Sequence, residues 1–218
     1  MLTSRSADIG FRYLISKPQK QHQSHSICLI NMTDTSFATY PKIVMIYKQR
    51  YDAMAQHDHI QELINYTKTV LHDSIENLNW TQLLDWEHRH FKYTKGKIPK
   101  PRAEMPINIL QQAKGRCGEF ALLYNGLLLA NSYQTRLVVD CSSPKDKARA
   151  AAGDHVWVEL LIDNEWVHVD PTEKRIKHPL MYALEWNKDV NLVYAITDTK
   201  ILKVTETYQP KNEMPLSL

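Results

Sequence analysis

The chain is poor in cysteine, with only Cys28, Cys117 and Cys141 among 218 residues. An odd, sparse set without framework spacing excludes a disulfide-stapled secreted domain and predicts a reducing, cytoplasmic compartment. No apolar stretch approaches the roughly 20 residues of a membrane-spanning helix. The first 20 residues carry Arg5, Asp8, Arg12, Lys17 and Lys20 and no apolar run, so they do not read as a secretory leader. Net charge is low as well, at +3. Outside Lys92–Arg102 it is spread along the chain, which gives no case for a nucleic-acid or membrane partner. Internal repeats are lacking. What remains is 43% hydrophobic and 23% charged, the composition of a globular protein with room for one domain and a real core.

The organisation follows from pattern. Residues 1–42, rich in Ser, Gln, His and Thr, read as a flexible extension, and the change of composition at Met32 marks a candidate start. Residues 43–210 read as the folded domain and 211–218 as a tail. From Ile43 the pattern turns helical, and Ile60, Leu63, Ile64, Thr67, Val70, Leu71 and Ile75 recur at helical spacing. Asn79 caps a second helix holding Trp80, Leu83, Leu84 and Phe91. Residues 92–106 form a basic, proline-containing connector, and Ile107–Gln112 a short turn of helix. A further helix spans Cys117 to Ala130, with Phe120, Ala121, Tyr124, Leu127 and Leu128 as its buried stripe. Thr135–Cys141 reads as a strand and Ser142–Gly153 as a loop. His155–Ile162 and Glu165–Val169 form a hairpin around Asp163-Asn164. Residues 179–187 read as a short helix, and 191–196 with 200–207 as a last hairpin. Helices first and strands after predict an α+β architecture.

Cys117 is the most informative residue. It lies in Gly115-Arg116-Cys117-Gly118-Glu119-Phe120 at the start of a helix. Glycines keep bulk away from its thiol, and the positive helix end favours the thiolate, which is the nucleophile. Downstream come Asp154-His155-Val156-Trp157 and His168-Val169-Asp170-Pro171. The hairpin tests whether they can meet. A two-residue loop sets 157 opposite 170 and 155 opposite 172, so His155 and Asp170 share a face as diagonal neighbours, about 7–8 Å apart at the backbone. A three-residue loop would put them on opposite faces. The chemistry then assigns Cys117 as nucleophile, His155 as its base and later acid, and Asp170 as the group that orients the imidazole. The backbone amide of Cys117 or Gly118 is the expected oxyanion donor. Trp86, Tyr93 and Trp157 are the expected substrate-binding walls of the cleft. His168, on the face of Asp170, is a rival base.

These segments resemble a family. Gly-Arg-Cys117-Gly-Glu-Phe, Asp-His155-Val-Trp-Val-Glu and Trp-Val-His-Val-Asp170-Pro are similar to the three signature segments of the transglutaminase-like superfamily, above all of its peptide:N-glycanase branch. Leu83-Leu84-Asp-Trp86-Glu-His-Arg-His-Phe91-Lys-Tyr93 resembles the aromatic helix ahead of that family's cysteine. His178-Pro179 through Trp186-Asn-Lys, then Leu192-Val-Tyr-Ala-Ile196, resembles the segment after its aspartate. The resemblance covers roughly residues 80–208. It implies a papain-like core, with a cysteine-bearing helix packed on an antiparallel sheet that carries the His and Asp. It also implies hydrolysis of the bond between an asparagine side-chain amide and N-acetylglucosamine, by Cys117, His155 and Asp170. His155 takes precedence over His168 by family position. Eukaryotic members hold a structural zinc on two Cys-x-x-Cys pairs, whereas residues 94–114 contain no cysteine. No metal or cofactor is therefore expected, and the Ser142–Gly153 loop looks longer than the family's.

Other residues fit plainer roles. Cys28 and Cys141 read as small buried hydrophobes. The pairs His22/His25, His57/His59 and His88/His90 lack companion ligands and read as solvated histidines. The expected function is a thiol-dependent amidohydrolase acting on a protein, peptide or glycopeptide. A cysteine protease or an amide-crosslinking transferase is the alternative, since the same three residues run all these reactions. A non-catalytic binding module is the third reading.

Overall fold

In the computed structural model, residues 40–96, 105–142, 155–179 and 191–208 are described. The expectations for the N-terminal extension, the loop before His155, the 179–187 helix and the C-terminal tail lie wholly or mostly outside them.

The helices form where the pattern predicts. Helix α1 spans Lys42–Met54 and buries Val44, Tyr47, Arg50, Tyr51 and Met54, a spacing that keeps them on one face. Helix α2 spans His57–Thr69 and buries Ile60, Leu63 and Thr67. It stops short of the expected run to Ile75. His72 takes a left-handed φ of 53°, and Val70 is 56% exposed. The chain turns there because Asp73 is needed elsewhere: its carbonyl accepts the Trp86 indole N–H at 2.9 Å. Ile75 still reaches the core, from a loop rather than a helix. Helix α3, Trp80–His90, begins with the expected Asn79 cap, in a reciprocal capping box with Gln82. Helix α4, Pro106–Gln111, carries its proline in the first turn, where no N–H is missed.

Helix α5, Cys117–Ala130, has the bounds read from the sequence. Every residue from Gly118 to Leu128 is buried, Glu119 and Asn125 among otherwise mostly apolar residues, so the helix is covered on all sides. The other four helices and the strands Thr135–Ser142 and Val156–Ile162 pack about it.

The six-stranded sheet is antiparallel, in the order β6-β5-β4-β3-β7-β8. Its strands are β3 Thr135–Ser142, β4 Val156–Ile162, β5 Glu165–Asp170, β6 Arg175–Ile176, β7 Asn191–Ile196 and β8 Ile201–Lys203. Side chains alternate across it. Val156, Val158 and Leu160 join the main core, while Trp157 joins a smaller cluster with Val138, Val193, Ala195 and Tyr208. The β4–β5 turn has Asp163 and Asn164 both at positive φ, 49° and 66°, the geometry of a two-residue type I′ hairpin. Ile162 pairs with Glu165 and Val158 with Val169, the register that loop length demands. Among the elements that escaped the sequence pattern are β6, the 3-10 turn Thr205–Tyr208 that cuts the expected 200–207 strand back to β8, and the two-residue strands β1, Lys92–Tyr93, and β2, Lys114–Gly115, which pair in parallel. Strands β1 and β2 bring the end of α3 beside the approach to Cys117.

Candidate active site

Three elements converge at the N-terminus of α5. Cys117 is its first residue and is partly exposed. His155 sits immediately before β4, and Asp170 closes β5. The His155 Nε2–Asp170 Oδ2 distance is 2.7 Å. Asp170 is fully buried, and its other oxygen accepts the Thr172 backbone N–H at 3.1 Å, so both oxygens are held. The Cys117 side chain hydrogen-bonds the same imidazole. The diagonal placement inferred from the hairpin thus brings His155 and Asp170 into hydrogen-bond contact.

Electrostatics favour a charged imidazole here. Burial acts against the imidazolium, but the hydrogen bonds and negative charge of Asp170 and Cys117 outweigh it, and His155 is pushed up to about 10. An imidazolium that survives to that pH is the natural counter-ion of a thiolate.

The glycines around the thiol have steric reasons. A Cβ on Gly115 would fall 2.5 Å from the Glu119 Cβ and 2.7 Å from the Phe91 ring. At Gly118 it would fall 2.1 Å from the Tyr47 hydroxyl, so α1 occupies the space a side chain would need. Gly118 lies in the first turn of α5, as an amide donor to an oxyanion requires. Gly118→Ala is expected to cost about 1–3 kcal/mol by overpacking. Adding Tyr47→Phe should recover part of that in a urea melt.

The expected cleft walls need correction. Trp86 and Trp157 are both 0% exposed and cannot meet a substrate. Trp86 lies on the inner face of α3 with Leu83 and Leu84. Trp157 faces the second core and gives its indole N–H to Tyr208 Oη at 3.1 Å. Its ring stacks on His155 at 5.8 Å, so it backs the imidazole instead of lining the cleft. Tyr93 alone of the three is open, at 50% exposure, beside Gly115. The rival His168 belongs to a separate cluster: its Nδ1 lies 2.8 Å from both Glu159 and Tyr208 Oη. Burial alone would raise the Glu159 carboxyl, but His168, Arg136 and Tyr208 hold it below its usual range.

Some supporting residues carried no signal in the sequence. Glu119 is fully buried, accepts the Arg116 backbone N–H at 3.1 Å and pairs with buried Arg50 of α1 at 3.1 Å. This pair pins the first turn of the thiol helix to α1. Arg50→Ala would strand a buried carboxylate, and we expect a loss of about 3–5 kcal/mol, read as a lower urea midpoint. Nor are His88 and His90 solvated. His90 Nε2 lies 2.8 Å from Asp73 Oδ2, and His88 Nε2 lies 2.6 Å from the Pro171 carbonyl oxygen. Among the described residues, no group of three or more His, Cys, Asp or Glu is placed to hold a metal.

A cysteine-headed central helix set against an antiparallel sheet defines a papain-like α+β fold. Residues 65–171 match the family model of the transglutaminase-like superfamily, and the chain belongs to that superfamily. Within it the likeness is to the peptide:N-glycanase branch. The chain is 33% identical over 113 residues to a peptide-N(4)-(N-acetyl-beta-glucosaminyl)asparagine amidase of Arabidopsis thaliana, covering 51% of this chain and 14% of that one. It is 32% identical over 117 residues to the Saccharomyces cerevisiae amidase of the same name, covering 53% and 29%. The chain thus spans less than a third of either relative. A solved structure from work on DNA duplex opening by the Rad4/XPC nucleotide excision repair complex shares the fold, with a TM-score of 0.51. It is 13% identical, and the match covers 76% of this chain and 47% of that one.

Proposed function

We propose that the protein is a thiol-dependent amidohydrolase that removes N-linked glycans from asparagine, with Cys117, His155 and Asp170 as its catalytic triad. The observation that carries this reading is the imidazole of His155, engaged by Asp170 at 2.7 Å and by the Cys117 side chain. The named activity of the relatives supplies the substrate class.

The steps follow from the geometry. The Cys117 thiolate adds to the carbonyl carbon of the asparagine side chain, and the oxygen takes up the negative charge. Amides in the first turn of α5, including that of Gly118, stabilise it. The carbonyl re-forms, the C–N bond breaks, and the His155 imidazolium gives its proton to the departing glycosylamine. A thioester on Cys117 remains. Water attacks it while neutral His155 takes a proton, and the Cys117 thiolate leaves, regenerating the ion pair and releasing aspartate. Asp170 holds the ring orientation through both halves.

Incubation with a denatured N-glycoprotein tests this. The expected result is glycan release with Asn converted to Asp, a mass increase of about one dalton over the unglycosylated peptide. A cut peptide bond would point to a protease, and incorporation of a labelled amine to a transferase. Either, without glycan release, would overturn the reading.

A further inference from the structure

Resting on that triad reading, we propose that His88 is a positioning residue: its Nε2–H anchors the Asp170-bearing turn to α3 and so sets the orientation of the carboxylate. Three contacts carry this. The His88 Nε2 lies 2.6 Å from the Pro171 carbonyl oxygen, and a carbonyl only accepts, so Nε2 carries the hydrogen. Pro171 directly follows Asp170, and its carbonyl also accepts the Lys174 N–H at 3.3 Å, which closes the turn. That turn presents the Thr172 N–H to Asp170 Oδ1 at 3.1 Å. His88 therefore grips the loop that holds one carboxylate oxygen, while the other oxygen faces His155.

The ring also packs on α5. The His88 and Phe120 ring centroids are 5.3 Å apart, and Phe120 lies one turn beyond Cys117. One side chain on α3 thus spans from the nucleophile's helix to the acid's turn. The only other tie from α3 to this turn that the structure shows among the described residues, Lys174–Asp85 at 2.8 Å, joins two exposed groups and holds weakly. Burial and the nearby charges of Lys174 and Lys92, opposed by Asp85 and by the Pro171 bond, lower the His88 proton affinity. The ring donates as a neutral imidazole at neutral pH, and adds no positive charge that would compete for Asp170.

The test separates donor from packing and is independent of substrate. His88→Phe keeps a ring against Phe120 and removes the donor. His88→Gln keeps an N–H near the Nε2 position and removes the ring. Alkylation of Cys117 by iodoacetate is followed against pH. The reagent's carboxylate is favoured by the imidazolium, so its rate falls once His155 loses its proton. His88→Phe is expected to react about tenfold more slowly at neutral pH, with its alkaline limb about one pH unit lower than wild type. His88→Gln should track wild type. A His88→Phe profile that overlays wild type, or a His88→Gln profile as depressed as His88→Phe, would overturn the proposal. A wild type with no alkaline limb at all would instead overturn the triad reading beneath it.

Discussion

Cys117→Ala should abolish glycan release, with a fall of at least about 10³-fold, while the protein stays folded. The size follows from the role assigned to the sulfur. Only that atom forms the covalent intermediate, and no neighbouring group replaces it. His168, the other histidine on the sheet face of Asp170, is held by Glu159 and Tyr208. Folding is spared because Cys117 is partly exposed and contributes little to the core that begins at Gly118. Cys117→Ser should be nearly as inactive, since a hydroxyl does not ionise beside an imidazole at neutral pH as a thiol does. Released glycan, quantified against circular dichroism of the same samples, checks both. A Cys117→Ala protein that releases glycan at the wild-type rate would remove the nucleophile from the mechanism.

Much of this site was legible because it is local. The Cys117–Ala130 helix announces itself by glycines at its head and unbroken apolar residues behind. Asp163-Asn164 dictates the hairpin register, and the register alone puts His155 and Asp170 on one face. Asn79 with Gln82 spells out a capping box. What stayed hidden depends on long-range choices. The periodic run from Ile60 to Ile75 is compatible with one long helix. It breaks after Thr69, in the turn that presents the Asp73 carbonyl to Trp86. Nothing in the sequence beside the motifs distinguishes a cleft wall from a core aromatic at Trp86 or Trp157. The sheet alternation and the inner face of α3 bury both. Arg50 and Glu119 are 69 residues apart, and nothing in either neighbourhood says that the two charges meet in the core. His88 looked solvated because its acceptor is a backbone carbonyl, which leaves no mark in a side-chain pattern.

Asp170→Asn is the sharper test, because it keeps the shape and removes the charge. The asparagine fills the same buried space, yet it no longer favours the imidazolium. Activity should fall about 10³–10⁴-fold. The pH dependence should change with it. In the wild-type protein His155 is pushed up to about 10, against burial, by Asp170 and Cys117. The alkaline limb of iodoacetate alkylation should therefore lie near that value, and in Asp170→Asn it should move toward neutrality. Stability carries the same signature, and the sign is fixed by proton binding. A histidine whose folded-state pKa exceeds its unfolded value of about 6.5 stabilises the fold fully below that pH. The contribution drains away as pH rises from there through about 10. Wild type should consequently lose urea stability across this window, whereas Asp170→Asn should show a much flatter profile. Equal slopes in the two proteins would mean that Asp170 does not hold the proton on His155, whatever the activity loss.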